Sequence, residues 1–211
     1  MVFLSSELWF PDPKHTDESG IVAVGGDLSS ERLVLAYRNG IFPWYNVDEP
    51  ILWWCPDRRM VLFPHQLHIS KSMKPLLKKE KFKVTYNQEF KTVINECATM
   101  KRKGQEGTWL TDEMVNAYMN LHEMGLAKSF EVWENNNLVG GLYGIYLQEK
   151  NIFCGESMYS KKSNASKFGF IKMVEHYKSK GVKLIDCQMH TEHLERFGAH
   201  LIERDAFLSY L

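Results

Sequence analysis

Two short strings set acid and amide side chains inside apolar text. The first is Leu184-Ile185-Asp186-Cys187-Gln188-Met189. Alternation along a strand puts Asp186 and Gln188 on one side. A carboxylate and an amide so placed can orient an attacking group and shuttle its proton. The competing reading is a strand-end acid satisfied by backbone groups or a lysine. The second string is Phe153-Cys154-Gly155-Glu156-Ser157-Met158. A glycine beside an acid in a strand suggests close backbone approach by a ligand, and Glu156 can meet a cationic substrate. Its competing reading is a glycine bulge with a surface salt bridge. Trp44, Trp53, Trp54 and Trp109 form an aromatic set able to stack on nucleobases, line apolar pockets, or fill a core. Gly25-Gly26-Asp27 lacks both a Walker lysine and a G-x-G-x-x-G pattern, so it reads as a turn before a helix.

These residues need elements to hold them. Residues 1–64 carry aromatic and proline-rich text, such as Phe42-Pro43-Trp44-Tyr45, which reads as short strands, turns and docked loops. One helix stands out there, capped by Ser29, striped by Leu33, Ala36 and Tyr37, and ended by Gly40. Beyond residue 64 helices and strands alternate. Ile69, Met73, Leu76 and Leu77 share a helical face that Pro75 interrupts. Lys81 to Tyr86 alternates as a strand, and Phe90, Val93, Ile94 and Cys97 mark a helix. Thr111 caps another helix, with Met114, Val115, Tyr118 and Leu121 on its buried face. Ser129–Glu134, an Asn135-Asn136-Asn137 turn and Leu138–Leu147 predict a hairpin, and Ile152–Met158 a third strand. A helix from Ser163, a strand over Val182–Met189, a short helix near His193 and a final strand over Ala206–Leu211 complete the reading.

The composition narrows the function classes. The 211 residues predict one domain with a smaller companion: a small N-terminal domain over 1–64 and a larger one over 65–211. Hydrophobic residues at 44% and charged residues at 25% exclude a disordered chain. No run approaches the roughly 20 apolar residues of a spanning helix. The four cysteines form no C-x-x-C pair, so no zinc site or redox motif is indicated, and with no secretory signal a cytoplasmic location is expected. Lys and Arg number 26, as do Asp and Glu. Yet residues 58–103 hold twelve basic residues against three acids, a surplus of nine that the remainder cancels. Such a stretch suits a phosphate backbone, though it can equally be a solvated lysine face.

The order of three strands, helix, strand, short helix and strand resembles the acyltransferase fold of the GNAT superfamily, an α+β (mixed α/β) class. The loop Ser160–Lys167, where a pyrophosphate cradle would sit, has no glycine, which argues against coenzyme A as donor. Longer strings resemble a narrower family, the leucyl/phenylalanyl-tRNA–protein transferases. They include Ala23–Leu28, Gly40–Trp44, Ile51–Asp57, His68–Met73, Gly107–Thr111, Glu131–Trp133, Leu138–Gly144, Phe153–Met158, Asn164–Lys167 and Leu184–Gln188.

That resemblance implies transfer of Leu or Phe, and less readily Met, from aminoacyl-tRNA to the N-terminal Arg or Lys of a protein. The product enters the N-degron degradation pathway. It implies a GNAT-like C-terminal domain, no cofactor, no metal, no membrane, and a monomer. Asp186 and Gln188 take the place of the catalytic pair, with Glu156 or Asp186 as the acid for a basic acceptor. Trp44 and Trp109 take the aminoacyl-adenosine end. Leu142, Phe153, Met173 and Ile185 form the side-chain pocket, and Tyr37, Tyr118, Gly155 and Ser157 are further substrate-binding residues. Lys71, Lys74, Lys78, Lys79, Lys81 and Lys83, with Lys101 to Lys103, would hold the tRNA acceptor stem. The rival readings are a coenzyme-A-dependent N-acetyltransferase and a non-catalytic RNA-binding module.

Overall fold

A computed structural model describes residues 2–100 and 110–211. In chain order the elements are β1 (Phe3–Leu4), β2 (Ile21–Gly25), α1 (Ser30–Arg38), β3 (Phe42–Pro43), β4 (Leu52–Trp54) and β5 (Arg58–Leu62). There follow α2 (Met73–Lys78), β6 (Lys83–Tyr86), α3 (Phe90–Thr99), α4 (Asp112–Glu123), β7 (Ala127–Glu134), β8 (Asn137–Leu147) and β9 (Ile152–Ser160). The chain ends with α5 (Ala165–Ser179), β10 (Leu184–Gln188), α6 (Glu192–Glu195), β11 (His200–Glu203) and α7 (Arg204–Leu208).

Local chemistry accounts for several boundaries. Ser29 Oγ accepts the Arg32 amide and Thr111 Oγ1 the Met114 amide, so both expected caps form. Pro75 is the third residue of α2, within the first turn, where its missing N–H has no helical partner to lose. Asn135 and Asn136 both lie at positive φ, 50° and 62°, and close the β7–β8 hairpin. The end of the chain departs from expectation. The last strand is His200–Glu203, and residues 204–208 are helical. Apolar residues at 206, 207 and 208 read as a strand, but Ala206 and Phe207 belong to a short helix whose Phe207 is buried.

The strands form two sheets. A four-stranded sheet runs β1-β2-β4-β3, and a seven-stranded sheet runs β11-β5-β10-β9-β8-β7-β6. In the large sheet β7 and β9 each run antiparallel to β8 between them, while β9 and β10 are parallel and joined through α5. This is the strand–strand–strand–helix–strand order of the sequence reading. β5 pairs with both β10 and β11, so the large sheet takes its first strand from Arg58–Leu62. One apolar cluster joins the small sheet and α1 to α3, α4 and one face of the large sheet. A second cluster packs α5 on the other face, over Phe130, Leu142, Phe153 and Ile185.

Arginines knit the N-terminal segment in. Buried Arg32 donates to the carbonyls of Ser5 and Glu7 and pairs with Asp27. Arg204 of α7 donates to the carbonyl of Asp17 at 3.0 Å and to that of Thr16. Glu131, fully buried on β7, accepts from Thr85, Ser129 and the amides of Gln88 and Glu89, fixing the approach to α3.

The β8–β9 ladder shifts register between Tyr143 and Gly144, which face Ser157 and Gly155 respectively and leave Glu156 as the extra residue. A Cβ at Gly144 would run into the Cys154 carbonyl oxygen and lie 2.6 Å from Phe153 Cζ. Gly144→Ala is therefore expected to cost about 1–3 kcal/mol through overpacking. Urea denaturation checks this, and an unchanged midpoint would contradict it.

Candidate active site

β9 and β10 are paired only as far as Cys154 and Asp186. Just beyond that point each strand carries a bulge. On β9 the extra residue is Glu156; on β10 the ladder to β5 shifts between Asp186 and Gln188, so Cys187 is extra. Bulges bend a strand and re-aim its side chains. Here they turn Glu156 and Gln188 toward one another, and Gln188 Nε2 donates to Glu156 Oε1 at 2.8 Å. Gln188 itself sits at φ 61°, a left-handed conformation uncommon for its type.

A cavity of about 670 Å³ opens beside this pair. That is within the range of small-ligand sites. Leu142, Met158, Phe170, Met173 and Ile185 form its apolar part, and Trp44 lies on its N-terminal side. Glu156, Ser157, Gln188 and Thr191 supply polar groups, with His193 and Leu194 contributed by α6. Burial holds the His193 pKa below its ordinary value, with Lys167 and Arg196 acting in the same sense.

Glu156 is the electrostatic centre. Burial raises its carboxyl to about 7, opposed by hydrogen bonds from the tyrosines and from Gln188, while the Asp186 charge adds to the rise. Tyr118 Oη donates to Glu156 Oε2 at 3.0 Å, and Tyr37 Oη lies 2.6 Å from Tyr118 Oη. Burial, then the Glu156 charge, pushes both phenols well above their usual range. They remain hydroxyl donors behind the carboxylate and do not line the cavity.

Asp186 differs from its expected role. It is 1% exposed and forms a bidentate pair with Arg59, Nε to Oδ1 at 2.8 Å and Nη2 to Oδ2 at 2.7 Å. Its Oδ1 also accepts the backbone amide of Gln188 at 2.9 Å. It is thus no open acid for a cationic substrate, and it does not reach the Gln188 side chain directly. The alternation argument fails here because the bulge breaks the period of two.

The other expected residues divide clearly. Trp44, Leu142, Gly155, Ser157, Met173 and Ile185 line the cavity. Phe153 does not; it lies beneath, fully buried and stacked on Tyr177 at 4.5 Å. Trp53 is core, its indole donating to the Gly25 carbonyl. Trp109 and Lys101 to Lys103 lie outside the described residues. Lys71, Lys74, Lys78, Lys79, Lys81 and Lys83 are all exposed, although Lys81 pairs with Glu134 at 2.6 Å. Arg59 counted toward the basic stretch but is internal. The sequence reading also missed Phe170, which is three residues from Met173 and so shares its helical face. His193 and Leu194 had no sequence signal beyond the short helix that carries them.

Two observations bear on the donor. Asn164 takes φ 68° ahead of α5, the Ala165 amide donates to Lys162 O, and the Ser166 amide to Ser160 Oγ. Those two amides are therefore satisfied within the loop. Burial raises the thiol pKa of Cys154 and of Cys187, so neither is a ready thiolate nucleophile.

A mixed α/β fold in this strand order, with a near-neutral carboxyl and an amide at the edge of an apolar cavity, defines an acyl-group transferase. Comparison with known proteins narrows the class. The family model for leucyl/phenylalanyl-tRNA protein transferase matches residues 61–211, and that for the N-terminal domain of the same family matches 26–57. A leucyl/phenylalanyl-tRNA–protein transferase of Christiangramia forsetii is 57% identical over 211 residues, covering all of both chains. One of Flavobacterium johnsoniae is 55% identical over all of this chain and 99% of its own. The chain belongs to the leucyl/phenylalanyl-tRNA–protein transferase family and is an aminoacyltransferase. Among solved structures, it is similar to L-PGS from Bacillus licheniformis, with TM-score 0.46 and 13% identity over 75% of this chain and 51% of that one. It is also similar to a GNAT-family acetyltransferase from Staphylococcus aureus Mu50, with TM-score 0.38 and 16% identity over 48% of this chain and 68% of that one.

The raised Glu156 pKa has a thermodynamic consequence. The folded carboxyl holds its proton up to about 7 while an unfolded one loses it near its ordinary 4.5. Stability is therefore expected to fall as pH rises through that window. Glu156→Gln keeps the shape and removes the charge; the tyrosine hydroxyls can turn to accept from the new amide. It is expected to be more stable than the parent at pH 8 by on the order of 2 kcal/mol, and equal to it near pH 4. Denaturant titration at the two pH values checks both.

Proposed function

We propose that the protein transfers leucine or phenylalanine, and methionine less readily, from aminoacyl-tRNA to the N-terminal Arg or Lys of acceptor proteins. The product is a degradation signal of the N-degron kind. The observation that carries this reading is the Glu156–Gln188 pair at the edge of a largely apolar cavity. Transfer of leucine or phenylalanine from tRNA to a protein, the activity in the family's name, would join an apolar side chain, an ester and an amine.

The reaction requires little chemistry from the protein. The amine nitrogen attacks the ester carbonyl carbon, a C–N bond forms, and the C–O bond to the ribose breaks. One proton leaves the amine and one arrives on the departing ribose oxygen. The acceptor ammonium, drawn by Glu156, first releases one proton to solvent; as the C–N bond forms, the Glu156 carboxylate, near 7, takes a second proton from the nitrogen and returns it to the ribose oxygen. Gln188 orients the amine beside the carbonyl. Asp186 is a positioning residue, acting through the backbone of Gln188. Leu142, Phe170, Met173 and Ile185 hold the apolar side chain, and one methylene there changes selectivity by only about 1–3 kcal/mol, so Leu, Phe and Met are all admitted. Trp44 packs the aminoacyl-adenosine end. The exposed lysines from Lys71 to Lys83 meet the acceptor-stem phosphates, which makes tRNA affinity fall with salt.

Incubation with charged leucyl-tRNA and an Arg-initiated peptide is expected to yield the leucyl-peptide; none from a folded preparation would refute the reading. Glu156→Gln is expected to lower kcat about 100-fold or more while tRNA binding persists. Because the base must be ionised, the parent's kcat rises with pH through about 7, and the variant loses this limb. Retention of the limb in the variant would assign the titration to another group.

A further inference from the structure

Arg59 lies on β5, outside the cavity, and has no role in the proposed chemistry. It is nonetheless bound on several sides, by Asp186 and by two aromatic rings. It is 1% exposed. Two of its nitrogens form the fork to Asp186. Its guanidinium carbon lies 4.5 Å from the Phe42 ring and 4.5 Å from the Phe207 ring. Phe42 belongs to the small sheet and lines the cavity; Phe207 belongs to the C-terminal helix. A planar cation between two ring faces, with its edge against a carboxylate, has little freedom to move.

The downstream links are equally defined. Asp186 Oδ1 is shared between Arg59 Nε and the amide of Gln188. That amide belongs to a residue at φ 61°, in a bulge. A non-glycine residue stays there only where its surroundings compel it. The geometry points to Arg59 as a positioning residue for aminoacyl transfer: through Asp186 it holds the Gln188 backbone in its left-handed conformation and so aims the Gln188 carboxamide at Glu156. This rests on the transfer reading above. The Asp186 carboxylate alone would not suffice, since a carboxylate without its fork can rotate away from the Gln188 amide.

Arg59→Lys tests this, because lysine keeps the charge but lacks the planar fork. Gln188→Ala and the double variant complete a cycle. In the leucine-transfer assay Arg59→Lys is expected to lower kcat about ten- to a hundredfold with KM for the charged tRNA within about twofold. In the Gln188→Ala background the same substitution is expected to change kcat by less than about twofold, because the group it positions is gone. A merely structural role would instead lower the active fraction by the same factor in both backgrounds. Hydrogen exchange at the Gln188 amide gives a readout without activity, and is expected to accelerate in Arg59→Lys. Unchanged exchange, unchanged kcat, or losses that multiply across the cycle would each overturn the inference. If the parent itself transfers no leucine, the transfer reading fails, while the exchange result still decides whether Arg59 holds Gln188. Should Arg59→Lys not fold, Phe207→Leu removes one ring from the guanidinium and leaves the fork. It is expected to act in the same sense, by about two- to threefold on kcat, again only where Gln188 is present; equal losses in both backgrounds would overturn the inference.

Discussion

The ion pair between Arg59 and Asp186 is the constraint on which the site depends. Both groups are withdrawn from water. Desolvation opposes the charge on Arg59, and the Asp186 carboxylate more than offsets it, so the guanidinium pKa rises. Neither partner is replaceable alone, since a buried charge left unpaired costs about 3–5 kcal/mol. The pair also fixes where three parts of the chain meet. β5 brings Arg59, β10 brings Asp186, and Phe42 and Phe207 close over the guanidinium from the small sheet and α7. Phe42, Pro43 and Trp44 of the N-terminal residues thus form one wall of the cavity, and the small sheet shares an apolar cluster with the large one.

The second constraint is the pair of bulges. A regular strand could place Glu156 or Gln188 on a face, but not both at the parting of β9 and β10. One extra residue in each strand achieves this, and Gly144 allows the close backbone approach. This also explains what was legible from sequence. Capped helices, the asparagine turn and the apolar strands carry local signals, so α1, α4, β7, β8 and β9 were readable. Bulges leave no periodic mark. Asp186 and Gln188 were therefore singled out as a pair for the wrong geometric reason: they are linked through a backbone amide, not by facing the same way. Glu156 was readable as an acid beside a glycine, while its near-neutral pKa comes from burial against Tyr37 and Tyr118, residues distant in sequence. The C-terminal helix was missed because a five-residue helix and a strand place their apolar residues too similarly.

Charge shows the same limit. The basic stretch from 58 to 103 was counted as surface, yet Arg59 is internal and Arg58 pairs with Glu203 at 3.4 Å. Lys81 meets Glu134, which also takes Lys162. Among the described residues of this stretch, Lys71, Lys74, Lys78, Lys79, Lys83 and Lys91 are exposed and outside these ion pairs. Partner count, not formal charge, decides how much of a basic run can bind.

The chemistry follows from what the site withholds as much as from what it offers. An aminoacyl ester is already activated, so the proposed transfer asks the protein to add only alignment and a proton carrier. A thiolate near the carbonyl would divert the acyl group onto the protein, and both nearby cysteines are held as thiols by burial. A carboxylate with an ordinary pKa would be too weak a base to relieve the amine, and one far above 7 would stay protonated. Burial beside two hydroxyl donors leaves Glu156 between those limits. Those hydroxyls stabilise the carboxylate, and burial destabilises it. Moving either would shift that balance, so in the proposed transfer the aromatic packing behind Glu156 matters as fully as the residues that face the cavity.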